Sequence, residues 1–128
     1  MPALILIPTT CKTPVISLKI SGIARRFILD TGATTTIVSP DILNGFRYKH
    51  HSTGVMYGVG TDTPTVYRVS VVFKFLSARL NTITTTERVK HFNMRLPFEI
   101  HGLIGQDVMT QFTSVVFDYK NMIVRFNP

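Results

Sequence analysis

Residues 27–34 read Phe27-Ile28-Leu29-Asp30-Thr31-Gly32-Ala33-Thr34: three apolar residues run straight into a carboxylate, a hydroxyl and a glycine. Such a run predicts a buried strand that ends by pushing an acid out of a hydrophobic wall. Gly32 leaves room for a sharp turn or for close approach of another backbone, and Ala33 keeps the next position small. Taken alone, Asp-Thr-Gly is more often a plain strand-to-turn junction, where Asp and Gly are common.

A second stretch shifts that balance. Ile100-His101-Gly102-Leu103-Ile104-Gly105-Gln106-Asp107-Val108-Met109 is again a short apolar strand followed by Gly and a short helical pattern, expected over 108–112. Together the two stretches resemble the paired motifs of aspartic proteases of the retroviral, retropepsin type. In that family an apolar-apolar-Asp-Thr-Gly-Ala loop carries the catalytic acid. A later apolar-apolar-Gly strand and short helix pack behind it. Residues 14–22, Pro-Val-Ile-Ser-Leu-Lys-Ile-Ser-Gly, resemble the family's strand and turn ahead of the active loop. The tail Val115-Val116-Phe117-Asp118-Tyr119-Lys120-Asn121 is similar to proteases of gypsy-type retroelements and their cellular descendants. The resemblance covers most of the chain. It implies an all-β, closed barrel-like fold with one short C-terminal helix, working as a homodimer.

Composition agrees with a single domain over 1–128. The chain is 45% hydrophobic, enough for a real core. No apolar run approaches the ~18 residues of a membrane-spanning helix. Residues 1–8 are apolar but short and lack a basic leader, so they read as a strand rather than a signal peptide. Cys11 is the only cysteine, which excludes an internal disulfide and fits a reducing compartment. An intracellular setting, a virus-like particle or the cytoplasm, is the expectation. No Cys/His cluster has metal-ligand spacing, and the adjacent His50 and His51 read as a solvated loop, so neither metal nor cofactor is expected. Fourteen basic against seven acidic residues give a net charge of +7. The basic residues are dispersed along the chain in runs of no more than two, so nucleic acid is not expected as the main partner.

In chain order, residues 3–8 suit an interface strand. Val15, Ile16, Leu18 and Ile20 make a strand that Ser21-Gly22 turns into a hairpin, and residues 25–29 return to deliver Asp30. Residues 34–38 are β-branched and read as extended, and Ser39-Pro40 starts a helical turn. Residues 44–54 read as a polar loop. Residues 55–64 then form a Gly-rich tip before the alternating strand at 65–75. The place of this hairpin between the two motifs matches the family's flap, which closes over substrate. Residues 77–99 are the least legible: 80–86 is Thr-rich and reads as strand, and the segment as a whole reads as an extra hairpin or loop. Two strands over 114–119 and 122–126 flank a Lys120-Asn121 turn. The apolar termini 3–7 and 122–126 are the candidate dimer strands.

Proteolysis of this kind needs two carboxylates, one ionised to take a proton from water and one protonated to polarise the scissile carbonyl. This chain has one Asp-Thr-Gly, so the second acid must come from another copy. The resemblance assigns Asp30 as general acid/base, Thr31 as a brace across the dimer, and Gly32 as a contact to substrate backbone. Ala33 and Thr34 would floor the pocket. Tyr57, Gly58, Val59 and Gly60 would touch substrate from the flap, and His101 and Leu103 would line side-chain subsites. Many members carry an acid after Asp-Thr-Gly-Ala and an Arg after the later Gly. Here the positions hold Thr34 and Gln106, so neutral hydrogen bonds are expected to replace an ion network. The implied activity is endoproteolysis, in polyprotein processing. The alternative is a non-catalytic dimerisation or binding module that keeps the fold.

Overall fold

In the computed structural model the description covers residues 3–5, 13–55, 65–87, 89, 96 and 98–128. Side chains of residues 3–5 and 55 are not described.

The chain's first complete hairpin is set by its turn. Ser21 and Gly22 both take positive φ, 51° and 81°, the twist that joins two right-handed strands through a two-residue loop. Strand β2 (Val15–Ile20) therefore pairs antiparallel with β3 (Ile23–Leu29) in unbroken register, Val15 opposite Ile28 and Ile20 opposite Ile23. Counting β1 (Ala3–Ile5) at the N-terminus, the chain continues through β4 (Ile37–Val38), a 3-10 turn at Pro40–Leu43, β5 (Lys49–Val55), β6 (Thr65–Phe75) and β7 (Ala78–Thr85). It closes with β8 (Gly102–Ile104), α1 (Gln106–Met109), β9 (Ser114–Asp118) and β10 (Ile123–Asn127).

Seven strands form one sheet in the order β2-β3-β8-β4-β7-β6-β5, and β1-β10-β9 form a second. One buried cluster draws on β2, β3, β4, β6, β7, β8, α1 and β10, including Ile16, Phe27, Val38, Phe73, Phe75, Ile104, Val108 and Phe126. A flat sheet cannot bring Ile16 of its first strand and Phe73 of its sixth into one cluster, so the sheet curls around its own apolar face. Phe27 meets Phe75 edge-on at 5.2 Å between ring centroids. The architecture is all-β with one short helix, as the sequence predicts.

Four local expectations are corrected. Residues 44–54 are not all loop. β5 begins at Lys49, held to β6 by backbone pairing and an edge-on contact of His50 with Tyr67, and its exposed polar side chains give no alternation to read. Residues 78–85 are not an appended hairpin but an interior strand between β6 and β4, its Thr-rich composition following a buried/exposed alternation. The helix starts at Gln106 and ends at Met109, and the chain continues to Phe112 as turns closed by Gln111 N–H on Val108 O and Phe112 N–H on Met109 O. β10 is not a free edge: it lies between β1 and β9, and its Val124 and Phe126 are fully buried. Residues 34–36 stay outside the sheet because Thr36 is bonded elsewhere, as described next.

Candidate active site

β8 is the pivot. It runs parallel to β3 on one side, Ile28 opposite Leu103, and antiparallel to β4 on the other, Ile37 opposite Leu103. Alternation then splits the three strands into two faces. Phe27, Leu29, Val38 and Ile104 enter the main core. Ile28, Ile37 and Leu103 enter a second buried cluster with Val15, Val89, Leu96 and Ile100, against which Phe98 packs. Gly102 is obligatory here, because a Cβ would stand 2.6 Å from Ile37 O and 2.8 Å from the Phe27 ring.

Asp30 leaves this platform at the end of β3. Its N–H donates to Ile104 O at 3.0 Å, the last sheet-like bond before the loop turns away. The loop is then tightened by its own acid. Gly32 N–H donates to Asp30 Oδ1 at 3.0 Å, and Ala33 N–H donates to Asp30 O at 3.1 Å. A Cβ on Gly32 would lie 3.3 Å from that carboxylate oxygen, so glycine keeps the acid uncrowded. Asp30 and Ala33 are half-buried, while Thr31, Gly32 and Thr34 are exposed.

The start of α1 clamps the loop from behind. Gly105 passes so close that a Cβ would meet Ala33 O at 2.8 Å and the Thr35 carbonyl at 2.9 Å. Gln106 holds the loop twice: its backbone N–H donates to Ala33 O at 2.8 Å, and its side-chain amide donates to Thr31 O at 2.7 Å. Thr36 completes the clamp. Its N–H lies 3.0 and 2.9 Å from the two oxygens of Asp107, and its hydroxyl donates to Asp107 Oδ1 at 2.6 Å. That hydroxyl also accepts from Gly105 N–H at 3.0 Å. Asp107 Oδ1 further accepts Val108 N–H at 2.9 Å, within the first turn of the helix. The bonds from Gln106 to the loop are neutral, as the sequence leads one to expect at this position.

Of the residues singled out from sequence, Asp30, Thr31, Gly32, Ala33 and Thr34 share this loop, and Leu103 lies in the buried cluster beneath it. Tyr57, Gly58, Val59 and Gly60 lie outside the described residues. His101 stands apart. Level with Arg26, it is four residues and roughly 13 Å back along β3 from the acid. Its Nδ1 accepts Arg26 N–H at 3.3 Å and its Nε2 is 3.7 Å from Glu99 Oε2. Sequence reading missed Ile28 and Ile37 beside Leu103, which the period-two phase of β3 and β4 would have disclosed. It also missed the Thr36–Asp107 pair, for which spacing gives no signal. Among the described residues no three His, Cys, Asp or Glu side chains gather as a metal site.

An all-β sheet that presents an Asp-Thr-Gly loop, braced from behind by a glycine strand and a one-turn helix, is the retropepsin-like arrangement. The retroviral aspartyl protease family matches residues 10–116, and the chain belongs to that family. Among solved structures it is similar to a retropepsin-like aspartic protease from Rickettsia conorii. The two share 12% identity with a TM-score of 0.59, over 98% of this chain and 99% of that one. No curated protein matches. No helix of the described residues is long and apolar enough to cross a membrane.

Proposed function

We propose that the chain is an aspartic endopeptidase that works as a homodimer, each copy giving Asp30 to a shared pair. The observation that carries this reading is a half-buried acid on a clamped, largely exposed loop, with four of the other described acids engaged elsewhere. Asp41 lies 3.6 Å from Arg25, Glu99 lies 3.7 Å from His101, Asp107 is bonded to Thr36 and Asp118 to Asn121. A two-fold axis beside the loop would set Asp30 against its mate. Two touching carboxylates cannot both be ionised, so the pair holds one proton. The ionised member takes a proton from water, and the protonated one hydrogen-bonds the scissile carbonyl as the water attacks. Collapse of the tetrahedral intermediate returns a proton to the leaving amine.

In this reading Thr31 braces the partner loop, and Gly32, Ala33 and Thr34 face the peptide backbone. Ile28, Ile37 and Leu103 wall the side-chain subsites. The β5–β6 hairpin acts as the flap, with Tyr57, Gly58, Val59 and Gly60 at its tip. The substrate class is peptide, and the setting is polyprotein processing by a retroelement-type protease. Cleavage profiling of a proteome-derived peptide library, with Asp30→Asn as control, tests it. The expected result is cleavage by the wild type and none by the variant. A folded dimer that cleaves nothing would point instead to a non-catalytic dimerisation module.

A further inference from the structure

The curled sheet leaves a gap where its first strand approaches its sixth. Between the β2–β3 turn and β6 lies a cleft of about 270 Å³. Its floor is the margin of the main core: Ile20 and Phe46 pack against that cluster and Phe73 belongs to it. The Phe46 and Phe73 rings lie 5.1 Å apart between centroids. The rim is cationic. Lys19, with Ser21 beside it, stands on one side and Lys74 on the other, and both lysines are exposed. Among the described residues neither lysine has an ion-pair partner. Lys74 lies directly opposite Arg79, and like charges so placed destabilise an antiparallel pair. Lys19 lies opposite Ala24, six residues and roughly 20 Å back along β3 from Asp30, so the cleft is separate from the acid.

An apolar floor under a cationic rim makes two demands of a guest. Apolar surface gains by being covered, while a rim ammonium gains from a nearby anion. A molecule that meets both has an apolar body and one anionic head. We propose that this cleft binds a small amphipathic carboxylate, its tail over Phe46 and its head at the Lys19 and Lys74 rim. Size limits the guest. The volume falls just under the ~300–1,000 Å³ of ordinary ligand sites, which suits a short chain or a single ring. Inorganic phosphate lacks the tail and would leave the floor wet. A polyanion carries repeated charges, whereas the cleft offers cations only at its rim and apolar surface between them. This inference does not rest on proteolytic activity.

Titration of the isotope-labelled full chain with sodium octanoate, followed by amide chemical shifts, tests it. The expected result is a saturable set of shifts centred on residues 19–21, 46 and 72–74. Octanamide, the neutral analogue, should bind about tenfold more weakly, and so should octanoate to the double variant Lys19→Gln with Lys74→Gln. Val72→Ser trims the apolar wall and should weaken binding about threefold. The charge-matched control Lys120→Gln with Arg125→Gln, on the other sheet, should leave affinity within about twofold. Octanamide binding as tightly as octanoate would overturn the inference, as would shifts centred elsewhere or equal losses for cleft and control variants. So would displacement of octanoate by inorganic phosphate at equal concentration, since a bare pair of cations would then suffice.

Discussion

The corner where β3, β4, β8 and α1 meet and the wing made of β5, β6 and β7 are built on opposite terms. At the corner, side chains meet backbone through short neutral or charge-assisted bonds, and Gly102 and Gly105 leave no space for a methyl group. On the wing, cations stand in solvent without side-chain partners, and Gly54 has nothing nearer to its missing Cβ than Val66 Cγ2 at 3.9 Å. Position is fixed by short contacts with no slack, while charge is kept where slack costs little. Substitutions of one chemical kind should therefore have very different consequences in the two regions.

The largest contrast is between two glycines. Gly105→Ala must push the backbone of Ala33 and Thr35, and should cost about 2–3 kcal/mol, lowering the unfolding midpoint by roughly 10 °C. Gly54→Ala should be neutral or stabilise by up to about 0.5 kcal/mol. Equal midpoints for the two variants would break the comparison. Next, Asp107→Ala leaves the Thr36 N–H and hydroxyl without their acceptor, and should cost about 2 kcal/mol by denaturant titration. Asp107→Asn should recover part of that loss, since one carbonyl oxygen remains to accept.

Gln106 sharpens the comparison on the functional side. Gln106→Leu keeps the backbone bond to Ala33 but loses the amide on Thr31 O. The account predicts a fall in kcat of about tenfold with KM held within about twofold, because the loop rather than the cleft is loosened. Gln106→Arg, which restores a donor, should rescue most of it. A change in KM alone would assign Gln106 to substrate binding.

On the wing the sign reverses. Lys74→Glu places opposite charges across from Arg79 and should raise stability by about 0.5 kcal/mol. The smallest effect concerns the β9–β10 turn. There the Asn121 side chain, then its N–H, and then Arg125 hold Asp118 below the usual carboxylate range. A carboxylate lowered in the folded state adds stability above its unfolded pKa, and that stability is lost as pH falls through the folded value. The midpoint difference between wild type and Asp118→Asn should thus vanish toward strongly acidic pH. A difference independent of pH would remove the carboxylate from the explanation.

Legibility in the sequence follows the same division. The corner was readable because apolar runs ending in Asp-Thr-Gly and in Leu103-Ile104-Gly105 carry their own punctuation. The turn at Ser21-Gly22 was readable for the same reason. β5 was not, because the exposed side chains of residues 49–53 show no periodicity, and only pairing with β6 reveals the strand. The buried place of β10 was hidden because an apolar edge strand and an apolar core strand share one composition.

The central claim is that one chain holds half a site. Wild type mixed in equal amounts with Asp30→Asn, after subunit exchange at fixed total concentration, tests it most directly. If both aspartates are needed, activity falls to about a quarter of the pure wild-type rate, the fraction of dimers with two intact copies. A fall to only about half would mean that each chain cleaves by itself, and would contradict the shared site.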